Sequence, residues 1–71
     1  MADSVYKFVE LVGTSSESWE KAAAAAVTQA SQSVRDLRVA EILQLDVAIE
    51  NGKIKSYRAK VKLSFKYESQ G

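Results

Sequence analysis

The sequence predicts an α+β fold of order β-α-β-β, a three-stranded antiparallel sheet wrapped on one long helix. Three observations carry that prediction. In residues 54–67, Tyr57, Ala59, Val61, Leu63, Phe65 and Tyr67 alternate with Ser56, Arg58, Lys60, Lys62, Ser64 and Lys66. A period of two sustained this long specifies a strand with one buried face, spanning about 45 Å at roughly 3.3 Å per residue. Just before it, Asn51-Gly52 is the favoured pair for a two-residue type I′ hairpin. Earlier still, five consecutive alanines from Ala22 to Ala26 have the best helix propensity available.

Taken in order, residues 5–12 read as a β-rich apolar strand that Gly13 ends. Thr14-Ser15-Ser16-Glu17 matches a capping box, with Thr14 as N-cap and Glu17 reaching back to its amide. The helix then runs to about residue 35. Trp19, Ala23, Val27, Ala30, Val34 and Leu37 recur at steps of three and four and define its buried stripe. That stripe is mostly alanine, so the helix can sit close to its neighbours. Trp19 is its one large side chain and reads as a packing anchor.

Residues 38–49 form a second strand with apolar side chains at both parities, so both of its faces are expected to meet protein. A two-residue turn puts Glu50 opposite Lys53 and thereby sets the register. Ile42 then opposes Val61, Ala40 opposes Leu63 and Gln44 opposes Ala59 beneath the helix. On the other face, Leu45 opposes Arg58, Leu43 opposes Lys60 and Glu41 opposes Lys62. Placing the last strand in the centre, order 1-3-2, makes every neighbour antiparallel. One helix shields only one sheet face. Val39, Leu43, Leu45, Val47 and Ile49 are therefore expected on the uncovered face, a patch that asks for copies of the same chain. Residues 68–71 read as a frayed tail.

Composition narrows the function. Seventy-one residues read as a single domain, 1–71, near the size where one core only just offsets chain entropy. With no Cys and no His there is no disulfide and no ordinary zinc site, which leaves oligomerisation as the staple. Asp3, Lys7 and Glu10 interrupt any leading apolar run, and no stretch approaches a membrane span, so the expectation is a soluble cytoplasmic protein without membrane partners. The net charge is only +1, yet six Lys or Arg and no acid lie between Asn51 and Tyr67. Such a strand is either a basic surface or a solvated face that discourages edge aggregation. Nucleic-acid binding through this basic strand is a lesser alternative rather than the expected role, because Tyr57 and Phe65 point away from the cationic side. No nucleophile–base pair has a recognisable spacing, so no catalytic residue is assigned and the protein is not expected to be an enzyme. Gly13-Thr14-Ser15 reads as a helix cap rather than an anion site. The carboxylates are too scattered for a loop-type calcium site, so any calcium would be held across subunits and no metal ligand is assigned.

The order of elements, with Val12-Gly13-Thr14-Ser15 after strand one and the alanine-rich helix behind it, resembles the dodecins. The resemblance covers residues 4–68 and continues through Val39-Ala40-Glu41-Ile42 and the alternation from Tyr57 to Phe65. It implies a small-ligand binding or storage protein, assembled as a hollow homododecamer, that holds riboflavin or FMN in pairs at two-fold contacts, or a related anionic metabolite whose phosphate Arg58, Lys60 and Lys62 would attract. Flavin-binding dodecins stack the isoalloxazine on a Trp where this chain has Val39, and hydrogen-bond its edge with a Gln where this chain has Arg58. Val39 offers no aromatic face, and Arg58 donates hydrogen bonds but cannot accept them. Ser18-Trp19-Glu20 and Arg38-Val39-Ala40 look more like a subgroup without the Trp, with which calcium is associated. The resemblance thus places the ligand against Val39, Arg58, Leu45 and Lys60. It implies weakened flavin binding and leaves a calcium- or ion-stabilised shell as the alternative.

Overall fold

The structure is a computed structural model and describes residues 4–67. Its elements are β1 (Tyr6–Ser15), α1 (Trp19–Ser31), β2 (Leu37–Glu50) and β3 (Lys53–Lys66). The strands form one sheet in the order β1-β3-β2, with β1 and β2 both antiparallel to the central β3. The fold class and strand order are those the sequence predicts. The tail at 68–71 lies outside the described residues.

Ala59, Val61 and Leu63 of β3 and Ala22, Ala26 and Ala30 of α1 make the core. The helix does not present the stripe expected from Trp19, Ala23 and Val27. It is turned by about one residue in its first turns, so Ala22 and Ala26 face the sheet in place of Ala23 and Val27, which pack at the side with Leu37, while Ala30 is buried as expected. Close approach explains the rotation. Gly13 does not end β1; it lies within the strand, opposite Ala59, directly beneath the helix. A Cβ there would overlap the Ala22 carbonyl oxygen and stand 3.1 Å from the Ala26 amide nitrogen. Only the flattest side of α1 can rest on that strand.

The ends of α1 also differ from expectation. Thr14 pairs with Arg58 in the β ladder, so its backbone is committed to the strand. Ser18 is the N-cap instead, its hydroxyl accepting from the Lys21 amide at 3.1 Å. Ser15 accepts from the Glu17 amide at 3.0 Å, and Glu17 pairs with Lys21 rather than reaching back to Thr14. At the other end the helix stops at Ser31, not near residue 35. The Ser31 hydroxyl donates to the Thr28 carbonyl at 2.8 Å, a local bond that competes with the helical ladder. Asp36, at φ 60°, then turns the chain into β2.

The hairpin turn is as expected, with Asn51 at φ 54° and Gly52 at φ 75° and Glu50 opposite Lys53. The register beyond it is not constant. It shifts between Ala48 and Ile49, where β3 carries Lys55 as an extra residue, and back between Ile42 and Gln44, where β2 carries Leu43. Ile42–Val61, Ala40–Leu63 and Glu41–Lys62 therefore pair as expected. Between the two bulges the expected pairs give way to Gln44–Lys60, Leu45–Ala59, Asp46–Arg58 and Val47–Tyr57. One consequence is a cleaner alternation than the sequence suggests. Leu45 and Val47 share the helix side with Ala59 and Tyr57, while Gln44 and Asp46 share the bare side with Lys60 and Arg58.

The helix packs on β1 and β3 and barely reaches β2. Ile42 and Leu45, on the helix side of β2, thus remain 47% and 49% exposed. On the bare side, Phe8 and Val39 are each 60% exposed. Of the expected uncovered row, Val39 stays on the bare side, Leu43 is taken up by the bulge, and Leu45 and Val47 turn to the helix side, so open apolar side chains lie on both faces of the sheet. The shape agrees with this. The molecule extends 55 × 20 × 15 Å with a radius of gyration of 14.8 Å, where a compact chain of this length would have about 11 Å.

Candidate functional site

Even-numbered residues of β1 and β3 project from the side of the sheet opposite α1, because each opposes an even-numbered partner across the ladder. The centre of that side is a shallow hollow of about 170 Å³ lined by Val12, Gln44, Asp46, Arg58 and Lys60. Arg58 donates from Nε to Asp46 Oδ1 at 2.8 Å and from Nη2 to Oδ2 at 3.3 Å, the fork-to-carboxylate geometry of a strong ion pair. That donated hydrogen bond holds the Asp46 carboxyl below its ordinary range and raises the guanidinium in turn. A lowered folded value means the pair is intact above the unfolded carboxylate range and is lost only as pH falls through the lowered value. Both side chains are partly solvated, so the pair orders the hollow more than it stabilises the fold.

The residues assigned from sequence separate here. Arg58 and Lys60 line the hollow together. Val39 is on the same side of the sheet, opposite Ser64, further along the strand. Leu45 is not with them. The bulge at Leu43 turns it to the helix side, and Asp46 takes its place opposite Arg58. Asp46 and Gln44 were missed for that reason, and Val12 because the parity of β1 is unreadable without its partner strand. The signal that could have found them is the adjacent apolar pair Ile42-Leu43, where alternation slips by one residue. The bare face also carries exposed aromatics that β3 alone does not reveal. Phe8 and Tyr6 come from β1, and the Lys62 ammonium sits 4.8 Å from the Phe8 ring centroid.

Trp19 lies behind this hollow, at the first turn of α1. It does join helix to sheet, but from an exposed position rather than as a buried anchor. Its ring meets Tyr57 edge-on, with centroids 5.2 Å apart, and its Nε1 donates to the Asp46 carbonyl at 3.0 Å. Trp19→Phe keeps an aromatic ring and removes that donor. It should cost about 1 kcal/mol in urea unfolding, and a cost near the 3–5 kcal/mol of a buried Trp deletion would mean that another surface covers the indole.

The acids on the bare side do not make a cation site within one subunit. Asp46 is taken by Arg58, Glu41 opposes Lys62, and Glu10 stands 4.0 Å from the Lys60 ammonium. Among the described residues, no group of three or more His, Cys, Asp or Glu could hold a metal ion. The described residues of one chain alone do not fit calcium. Nor, among the described residues, is any helix long and apolar enough to cross a membrane.

A family model described as Dodecin matches residues 5–68. The chain belongs to the dodecin family. It is 52% identical over 64 residues to the calcium dodecin of Mycobacterium tuberculosis, covering 89% of each chain. A crystal structure of that protein, described as calcium-chelating with a novel calcium-binding site, superposes with a TM-score of 0.81 at 47% identity, covering 94% of this chain and 96% of that one. The dodecin of Streptomyces coelicolor superposes with a TM-score of 0.91 at 36% identity, covering 99% of this chain and all of that one. The dodecin of Thermus thermophilus is 38% identical over 64 residues, covering 90% of this chain and 93% of that one. Family and fold thus agree, and the dodecin sheet is the frame on which the hollow sits.

Proposed function

We propose that this chain is the subunit of a homododecameric shell that stores a small ligand at its subunit contacts, and that flavin is at best a weak ligand for it. The exposed apolar side chains on both faces of a thin sheet support the assembly, because a monomer would leave Phe8, Val39, Ile42 and Leu45 in water. The whole span 1–71 acts as one folding unit in this reading, inside the cytoplasm, without catalysis, and without nucleic acid or membrane as partner. The ligand would lie against Val39, Arg58 and Lys60, and no longer against Leu45.

One observation supports the statement about flavin: Arg58, which stands where the resemblance puts the flavin-edge Gln, is already hydrogen-bonded to Asp46. With Val39 in place of an aromatic, each ring also loses a stacking partner worth about 0.5–1.5 kcal/mol beyond its buried area. Titration of FMN or riboflavin fluorescence should reveal weak or absent binding in the natural protein. Val39→Trp should tighten FMN at least about tenfold, and more when combined with Arg58→Gln. Submicromolar FMN binding by the unmodified protein would contradict the reading.

The calcium dodecin relative favours a second reading, in which calcium stabilises the shell without an organic ligand. Carboxylates from neighbouring subunits would have to converge, since the described residues of one chain do not supply a site. A melting temperature lowered by EGTA and restored by calcium would favour it; no response to either would remove it.

A further inference from the structure

Arg58 stands at the centre of the bare face with one edge of its guanidinium already bonded to Asp46. Asp46 reaches it only because two bulges offset one another. Without the extra residues Lys55 and Leu43, the register set by Glu50 and Lys53 would put Leu45 opposite Arg58 and Asp46 opposite Tyr57, on the helix side. The bulges turn residues 44–48 by one position and deliver a carboxylate to the bare face. The Asp46 backbone is fixed from behind as well, since its carbonyl accepts from Trp19 Nε1 at 3.0 Å. A side chain held from both sides of the sheet is pre-organised for its partner.

We propose that Asp46 is the specificity-determining residue of this face, an internal counter-ion that occupies Arg58 and keeps the affinity for phosphate-bearing ligands low. The proposal rests on reading the bare face as the ligand site. Arg58 is the residue in the hollow able to grip a phosphate with two parallel hydrogen bonds, and Asp46 occupies its Nε–Nη2 edge and offsets its charge, leaving the Nη1 side of the fork free. Lys60 and Lys62 leave positive charge nearby, but as single ammonium groups that lack the planar fork. A phosphate entering the hollow either displaces a tethered carboxylate or binds the free side of the guanidinium, and in both cases it approaches the negative charge of Asp46. The face therefore admits neutral ligands more readily than phosphorylated ones.

The test is isothermal titration of inorganic pyrophosphate at fixed ionic strength into the natural protein, Asp46→Asn, Asp46→Asn/Arg58→Gln and the control Glu41→Gln. Asp46→Ser serves as a second variant should the amide disturb the strand. The expected result is at least a roughly tenfold gain for Asp46→Asn, return to the natural affinity in the double variant, and less than about a twofold change for Glu41→Gln. Equal affinity in the natural protein and both Asp46 variants overturns the proposal, as does a gain that survives loss of Arg58 or appears equally in Glu41→Gln. Absence of binding throughout overturns it too. Particle mass, read on the same samples, separates the two ideas. A pyrophosphate gain in a monomer or dimer leaves the counter-ion role standing and removes the shell. Twelve subunits without the gain do the reverse.

Discussion

Gly13→Ala should all but abolish folding. The added methyl would overlap the carbonyl oxygen of Ala22 and stand 3.0 Å from its carbon, and both are helix backbone that cannot rotate away. Relief requires lifting α1 off β1 and β3. That separates Ala22, Ala26 and Ala30 from Ala59, Val61 and Leu63, the whole of the buried apolar core. Overpacking a good core costs about 1–3 kcal/mol when side chains can adjust. Here they cannot, so the cost should reach or exceed the upper end of that range. A domain this small has only a few kcal/mol to lose. Circular dichroism during urea unfolding measures it, and a midpoint within error of the natural protein would show that the helix has room to move.

The second large effect belongs to the other side of the same contact. Leu63 is the largest fully buried side chain, 1% exposed, under the helix and beside Val9 and Val27. Leu63→Ala removes several buried carbons and leaves a cavity between alanine-rich surfaces that have little side chain with which to fill it. The cost should be about 2–5 kcal/mol. A loss below 1 kcal/mol would mean that the helix settles into the gap, contrary to a spacing set by backbone at Gly13.

Both expectations depend on details the sequence carries unevenly. The uninterrupted alternation of β3 and the Asn51-Gly52 turn were sufficient to place the central strand, the antiparallel order and the core triad Ala59, Val61 and Leu63. The alanine run fixed a helix but not its rotation. Five alanines in a row present small residues on every side, so nothing in their spacing selects Ala22-Ala26-Ala30 over Ala23 and Val27. Gly13 decides it, through a contact made across the fold. Capping was misread for a similar reason. Thr14 has the right chemistry, but the ladder to Arg58 claims its backbone first.

The candidate site was half legible. Arg58 and Lys60 follow from the parity of β3, whereas their neighbour on β2 depends on bulges that a clean hairpin turn conceals. Ile42-Leu43 is the trace of one bulge. The trace of Lys55 is fainter: Ile54 falls at an even position, out of step with the odd-numbered apolar residues from Tyr57 onward. Asp46 consequently takes the place assigned to Leu45, and the face changes from an apolar patch to an ion pair with apolar flanks. Phe8 and Tyr6 were obscured because β1 is too uniformly apolar for its parity to be read without its partner.

Native mass spectrometry of untreated protein tests the central claim most directly, since it reports subunit number and retained ligand in one spectrum. The account predicts a particle of twelve subunits without flavin mass attached. A stable monomer or dimer at micromolar concentration, or a dodecamer that arrives loaded with FMN, would contradict it.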